Sequence, residues 1–541
     1  MTYSNHFRVA GLLTCLALTQ IGNIFAAPTE PNTEKPNILL IMADDMGYSD
    51  IGCYGGEINT PNIDRLAEEG LRFSQFYNNA ICCPTRASLL TGVYSHQAGM
   101  GNMVMHEVGG GKPGPYQGYL NDKSVTIAEV LQNAGYSTYM SGKWHVGEFR
   151  PNWPTDRGFD HSFSLISGAA NYFDITRGKR ADAVRIMEKD GLVYNPPKEG
   201  FYMTTAITDH AVTMLDAAGD EDEPFFMYVT YTAPHWPLHA LPEDVEKYCG
   251  KYMVGWDEIR KNRYERQIEM GLFDEESCPL TPRDKDAPAW EDVENKEAMD
   301  LKMAVYAAQI DRMDQGIGKI LDKLKQIGQK ENTLVIFLAD NGASAQGGPY
   351  GRNWREDDLP PGGVDSYQSY GFSWANASNT PFRYYKIWMH EGGIATPFIA
   401  SWPAQIKQHG EITGHQGHIM DIMATCCDVA GVDYPDMYND KPVTALEGKS
   451  LLPVLKGETA DIHKELFWYR EGHKAVRQGK WKLVALSGEA WELYDLDLDR
   501  TELNDLATIH PEKVEELNKL HAQWAEKCGV YDFEEGQDLG W

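Results

Sequence analysis

Four apolar runs in this chain each end in a cluster of polar residues, and no other feature narrows its fold as far. Asn37 to Met42 leads into Ala43-Asp44-Asp45, and Tyr136 to Met140 into Ser141-Gly142-Lys143-Trp144-His145. Phe225 to Thr230 leads to Ala233-Pro234-His235, and Thr333 to Leu338 into Ala339-Asp340-Asn341-Gly342. Short continuous apolar runs read as buried strands, and amphipathic stretches between them as helices. The clearest stretch spaces Met303, Tyr306, Ile310, Met313, Ile317, Leu321 and Leu324 by threes and fours, with Gly328 as a stop. This alternation predicts an α/β fold built on a doubly wound sheet from Pro36 onward. Ligands of such sheets sit outside the carboxyl ends of the strands, so the four clusters point at one crevice.

The 541 residues carry 49 Lys and Arg against 79 Asp and Glu, a formal net charge of −30. Without a dense basic stripe, that field excludes a nucleic-acid binder. With 42% hydrophobic and 11% aromatic residues the chain can bury a large core, which excludes disorder over most of its length. From about Glu465, short alternating strands around Ala475 to Leu486 and Trp491 to Tyr494 precede a helix from Pro511 to about Lys527. They predict a small antiparallel sheet with a terminal helix. Gly347 to Gly363, rich in Gly and Pro, reads as a long surface loop.

At the amino terminus Arg8 precedes an apolar stretch from Val9 to Leu18, and Ile24-Phe25-Ala26-Ala27 leads to Pro28. This reads as a secretory signal peptide over residues 1–26, and the expected location is periplasmic or secreted. The stretch is interrupted at Thr14 and is shorter than the ~20 residues that span a bilayer. A lipid anchor at Cys15 is the minor alternative, and no later segment reads as a membrane span. Cys53, Cys82, Cys83, Cys249, Cys278, Cys426, Cys427 and Cys528 are too sparse for a disulfide scaffold, though they leave room for one or two bridges. None has the Cys-x-x-Cys spacing of a structural zinc site.

Asp44, Asp45, Asp340 and Asn341 offer hard oxygen ligands, which suit Ca²⁺ or Mg²⁺ rather than a thiophilic ion. One Asp-Asp pair alone would read as a helix cap or a solvated turn. Two acidic clusters at two strand ends favour a cation. In Cys82-Cys83-Pro84-Thr85-Arg86-Ala87-Ser88-Leu89-Leu90-Thr91-Gly92, the proline and the apolar run beyond it mark a helix start. The helix dipole favours an anion there by roughly 0.3 to 2 kcal/mol. Taken singly, Cys82 and Cys83 would be small buried apolar side chains.

This segment resembles the signature of the type I sulfatases, Cys-x-Pro-x-Arg with a Leu-Thr-Gly ending, matched here by Cys82, Pro84, Arg86, Leu90, Thr91 and Gly92. Cys83 cannot lead the motif, since Pro84 would then follow it directly. The resemblance runs from Pro36-Asn37-Ile38 to Lys480-Trp481-Lys482-Leu483. Thr232-Ala233-Pro234-His235-Trp236-Pro237-Leu238, Tyr385-Lys386 and Glu391-Gly392-Gly393 are similar to the bacterial arylsulfatases. It implies an alkaline-phosphatase-like α/β fold: a large mixed, mostly parallel sheet flanked by helices over 36–460, and a C-terminal antiparallel sheet and helix subdomain over 461–541. It implies that Cys82 is oxidised to formylglycine by a formylglycine-generating or sulfatase-maturing enzyme. It also implies Ca²⁺, with Mg²⁺ as the alternative, at Asp44, Asp45, Asp340, Asn341 and position 82, with Arg86, Lys143, His145, His235 and Lys386 around the sulfate. One departure is visible: Ala395-Thr396-Pro397 stands where the family commonly has Arg-Val-Pro, which predicts a local packing difference.

The charges agree with that reading. Three carboxylates, one divalent cation, Lys143, Lys386 and Arg86 sum to +2, so a locally positive pocket can hold a sulfate monoester, or a phosphodiester, on an acidic protein. His145 and His235 follow strands that end at the crevice and are candidate proton carriers, whereas His239, His390 and His415 read as satisfied surface or core residues. In the implied reaction a hydroxyl of hydrated formylglycine, deprotonated with help from Asp340, attacks sulfur. His235, with Lys386, protonates the leaving alcohol or phenol. His145 then accepts the proton of the second hydroxyl so that sulfate is expelled, while Lys143 and Arg86 stabilise developing charge. The expected function is therefore a sulfuric ester hydrolase. Its rivals are a phosphodiester or phosphonate hydrolase of the same superfamily and a non-catalytic sulfated-glycan binder.

Overall fold

Asn37–Asp44, uncharged until its last residue, forms strand β1, and every residue in it is buried. Its alternate side chains enter different cores: Leu39, Ile41 and Ala43 join one apolar cluster, and Ile38, Leu40 and Met42 another. A strand covered on both faces is what a continuous apolar run predicts. The computed structural model describes residues 1–3, 35–104, 113–178, 185–355, 359–460 and 462–531. The signal-peptide stretch and Cys15 lie outside the described residues.

Nine more strands complete the sheet: β2 (Leu71–Tyr77), β3 (Ser137–Lys143), β4 (His161–Leu165), β5 (Met187–Lys189), β6 (Leu192–Tyr194), β7 (Phe225–Pro234), β8 (Thr333–Ala339), β9 (Phe398–Ser401) and β10 (Glu411–His418). Their order is β10-β2-β9-β8-β1-β7-β3-β4-β5-β6. From β8 through β4 all neighbours are parallel, while β9 runs antiparallel to both β2 and β8. The sheet is therefore mixed and mostly parallel, as expected. On one face lies the 31-residue helix Lys296–Gln326, started by the Asn295 side chain accepting from the Ala298 amide and followed by Gly328 at φ 73°. The helices Cys82–Thr91, Ile127–Asn133 and Asp421–Ala430 pack on the other face.

A two-stranded hairpin, β11 (Met437–Tyr438) with β12 (Lys441–Pro442), precedes an antiparallel sheet of β13 (Glu465–Arg470), β14 (His473–Gln478), β15 (Trp481–Ala485) and β16 (Glu492–Asp495). The terminal helix Pro511–Cys528 packs on this sheet through Val476, Leu483, Leu493 and Leu517. From Lys35 on, the described residues form one compact unit. Among the described residues, no helix is long and apolar enough to cross a membrane.

Candidate active site

Strands β8, β1, β7 and β3 lie side by side, so the four polar clusters at their carboxyl ends meet. Ala43 pairs with Ala339, and Asp44 with Pro234 after a register shift in β1. Asp44 receives the Lys143 ammonium at 2.6 Å, and Asp45 that of Lys386 at 2.6 Å. His235 Nε2 stands 3.3 Å from Asp45 Oδ2, and the Asn341 amide donates to Asp45 Oδ1 at 2.7 Å. Asp340 Oδ1 accepts from the Asp45 amide at 3.1 Å.

Cys82 begins a helix buried along its whole length. Ile81 offers the amino end no side-chain cap, but Asn79 reaches in, donating to the Pro84 carbonyl and to Ser88 Oγ. One turn on, Arg86 donates through Nε and Nη2 to Asp340 Oδ2, at 3.2 and 2.9 Å, and through Nη1 to the Lys143 carbonyl. The guanidinium thus ties the helix to the ends of β8 and β3. The Lys386 loop is fixed from two sides, its own amide on the Ala343 carbonyl and that of Ile387 on the Ala80 carbonyl. Asp45, Ala80, His145 and Ile387 all have positive φ, at 62°, 59°, 58° and 92°. Such conformations cost roughly 1–3 kcal/mol each and persist only where surrounding contacts enforce them, a common trait of functional sites.

The enclosed charges perturb one another. A hydrogen bond with Cys83, then Lys143, His145 and Lys386, hold the Cys82 thiol well below its usual range despite burial. Burial raises the Asp44 carboxyl, but Lys143, His235 and Arg86 outweigh it and hold the group low. Burial, then the Asp44 carboxylate, push Asp340 up against the pull of Arg86 and Lys143. Burial lowers His145 to about 4 and also lowers His235, the latter opposed by Asp45 and Asp44.

Three buried oxygens, Asp44 Oδ1, Asp45 Oδ2 and Asn341 Oδ1, accept no hydrogen bond. Arg86 Nη2 lies 3.8 Å from Asp44 Oδ1 and His235 Nε2 3.3 Å from Asp45 Oδ2, without hydrogen-bond geometry. Buried acceptors lacking hydrogen bonds are costly, and three hard ones at adjoining strand ends fit a hard divalent cation, which would also relieve the Asp44–Asp340 conflict. Asp44, Asp45 and His235 each offer a ligand atom within 4.8 Å of the others, as do Cys82, Cys83 and His145. This site can therefore hold a metal ion.

The structure brings Asp44, Asp45, Cys82, Arg86, Lys143, His145, His235, Asp340, Asn341 and Lys386 into one buried crevice. His239 is satisfied in the core, its Nδ1 accepting from the Tyr172 amide and its Nε2 bonded to the Ser366 carbonyl. His390 is bonded to Glu492, and His415 to Thr413. All eight described cysteines are free. Where the family motif departs, Thr396 Oγ1 bonds both the amide and the carbonyl of Ala339, tying the segment just before β9 to the end of β8.

Sequence reasoning missed several supports. Tyr306, read only as a core position of the long helix, donates to Asp50 and to the Asp45 carbonyl. A Cβ on Gly168 would come within 2.7 Å of the His145 ring, and one on Gly142, at φ 126°, within 1.8 Å of the Thr230 carbonyl. No local pattern signals these roles, because each depends on a neighbour distant in sequence.

Comparison with known proteins agrees with this geometry. The Sulfatase family model matches residues 36–432, and the model described as N-sulphoglucosamine sulphohydrolase, C-terminal, matches residues 382–528. An arylsulfatase of Klebsiella aerogenes is 38% identical over 444 residues, spanning 80% of this chain and 95% of that protein. An uncharacterized sulfatase of Schizosaccharomyces pombe is 36% identical over 547 residues, spanning 94% and 95%. Among solved structures, Ps i-CgsB in complex with k-i-k-neocarrahexaose has a TM-score of 0.68 at 26% identity and covers 93% of this chain and 96% of its own. On the family match and these relatives, the chain belongs to the sulfatase family and is a sulfuric ester hydrolase.

Proposed function

We propose that the protein hydrolyses sulfate monoesters of phenols or sugars, with Cys82 converted to formylglycine by a maturation enzyme and with Ca²⁺ beside it. One observation carries this reading: Cys82 opens a buried helix against Lys143, His145 and Lys386, next to carboxylate oxygens that lack hydrogen bonds. The relatives support both substrate classes, one being an arylsulfatase and another a structure solved with k-i-k-neocarrahexaose.

Asp44, Asp45, Asp340 and Asn341 would hold the cation, and position 82 would join them only after conversion, since a thiol is a soft ligand. When bound, the cation supplies positive charge beside the sulfate and polarises an oxygen ligand. The converted side chain supplies, through its hydrate, the attacking hydroxyl. Lys143 and Lys386, both buried beside position 82, neutralise the sulfate oxygens. His235 Nε2 delivers a proton to the departing oxygen, and His145 accepts one from the hydroxyl at position 82. Arg86 has three of its N–H groups on Asp340 and the Lys143 carbonyl, so its part is to hold those two residues in place. The apolar amino-terminal stretch supports export to the periplasm or beyond, which amino-terminal sequencing of the mature protein tests.

The test uses protein co-expressed with a maturation enzyme. The Cys82 peptide should carry an aldehyde by mass spectrometry, para-nitrophenyl sulfate should be turned over, and Cys82→Ala should be inactive. A higher kcat/KM for bis-para-nitrophenyl phosphate, or an intact thiol in fully active protein, overturns the reading.

A further inference from the structure

The roles above leave the alcohol or phenol half of the substrate without a partner. The residue beside the proton donor is Trp236, whose ring lies 5.2 Å from that of His235 and whose carbonyl is 2.5 Å from His235 Nδ1. Trp354, more than a hundred residues further along the chain, stacks on Trp236 with ring centroids 4.4 Å apart and planes 14° from parallel. Tyr367 meets Trp236 edge-on at 5.8 Å. A cluster of rings therefore adjoins His235, with Tyr367 buried behind the half-buried Trp236 and Trp354.

Backbone bonds fix this arrangement. The Leu238 amide donates to the Gln368 carbonyl, the Gly362 amide to the Leu238 carbonyl, and the Ala240 amide to the Gly362 carbonyl. The Trp354 amide donates to the Tyr367 carbonyl, closing the loop that carries it. The Gly- and Pro-rich stretch that reads as a surface loop in the sequence is thus bonded to the segment that follows β7, and it brings its tryptophan to the crevice.

Place, rather than burial alone, separates this pair from the other tryptophans: Trp388, Trp481 and Trp491 are half-buried too, but Trp236 and Trp354 are the stacked pair that adjoins His235. Trp144, Trp256 and Trp374 are fully buried, whereas Trp236 and Trp354 both stay half-buried. Rigid aromatic faces at the lip of a site give large contact area at little entropic cost, and they suit flat ring surfaces rather than charge. We propose that the stacked Trp236–Trp354 pair is the ring-binding wall of the leaving-group subsite, selecting sulfate esters whose alcohol or phenol presents a flat ring face. The proposal rests on the sulfatase reading and on His235 as the group that meets the leaving oxygen.

The test compares matured wild type, Trp354→Ala and Trp354→Phe in three measurements: kinetics on para-nitrophenyl sulfate, kinetics on a hexose 6-sulfate, and competitive inhibition by inorganic sulfate. In Trp354→Ala, KM should rise about tenfold for the ester wild type prefers, while the inhibition constant for sulfate stays within about twofold. Trp354→Phe, which keeps a ring, should restore KM to within about threefold. A change confined to the aryl ester assigns the wall to a phenol, and one confined to the sugar ester assigns it to a pyranose. An unchanged KM in Trp354→Ala, or a parallel weakening of sulfate inhibition, overturns the inference alone. A matured wild type inactive on both esters overturns the proposed substrate classes and this inference with them.

Discussion

Lys482→Met should destabilise the whole molecule, and the size of the loss follows from the charges around it. The Lys482 ammonium, on β15, lies 2.7 Å from Glu391 Oε1 and 2.7 Å from Glu502 Oε1, and all three side chains are fully buried. The Arg500 guanidinium pairs with the other Glu391 oxygen. Lys482 and Arg500 thus pair directly with the two carboxylates, Arg383 and Arg477 acting from further off, and removing Lys482 leaves Glu502 without its direct ion-pair partner. Breaking a buried pair in this way costs about 3–5 kcal/mol. At roughly 2.1 cal/mol/K per residue over about 500 residues, the unfolding entropy is about 1 kcal/mol/K, so Tm should fall by about 3–5 °C. Differential scanning calorimetry at neutral pH reads this directly. If the stranded carboxylate is the cause, Lys482→Met combined with Glu502→Gln should recover at least about half the loss, because the second change removes that charge. A Tm within about 1 °C of wild type, or a double variant that falls by the sum of the singles, would refute the reasoning.

Gly142→Ala forces a Cβ to within 1.8 Å of the Thr230 carbonyl at φ 126° and displaces the end of β3, so kcat/KM should fall at least about a hundredfold. A variant with wild-type kinetics shows that Lys143 does not depend on that backbone path. Burial holds His239 at about 4 in the fold against an ordinary 6.5. The unfolded chain therefore binds the extra proton first, and the stability is present above about 6.5 and lost as pH falls toward 4. The shift corresponds to about 3 kcal/mol, so His239→Gln should flatten the acid limb of a denaturation series between pH 6.5 and 4. An unchanged slope counts against a neutral buried His239. Removing divalent cations with a chelator should lower Tm by about 2–4 °C and abolish turnover, with Ca²⁺ restoring both. Activity indifferent to chelation counts against a cation at Asp44, Asp45, Asp340 and Asn341.

Much of the fold was legible because burial leaves a local trace. The short apolar runs at residues 37–42 and 333–338 match covered strands in length and composition, and the three-and-four spacing through Leu324 matches one face of a long helix. The residue types at the strand ends were legible for the same reason, since Asp44, Lys143, His235 and Asp340 interrupt otherwise apolar stretches. The supports of those residues were not legible. Tyr306 and Gly168 carry no local signal, and Lys482 and Glu391 meet across 91 positions, so two separate family-like segments prove to be the halves of one ion cluster. Trp354 falls in the same class, because a loop rich in glycine and proline gives no sign of which ring it will stack on.

The sequence by itself determined an α/β chain with hard-oxygen side chains, basic groups and one motif-bearing cysteine near the ends of apolar strands. The tertiary structure alone decided that β8, β1, β7 and β3 are neighbours, that Arg86 spans two of their ends, and that Trp354 lies over Trp236 beside His235. The physical reason is range. Periodicity and capping are set by residues within a few positions of one another, whereas strand order, register and the approach of a loop to a site are set by contacts among residues hundreds of positions apart.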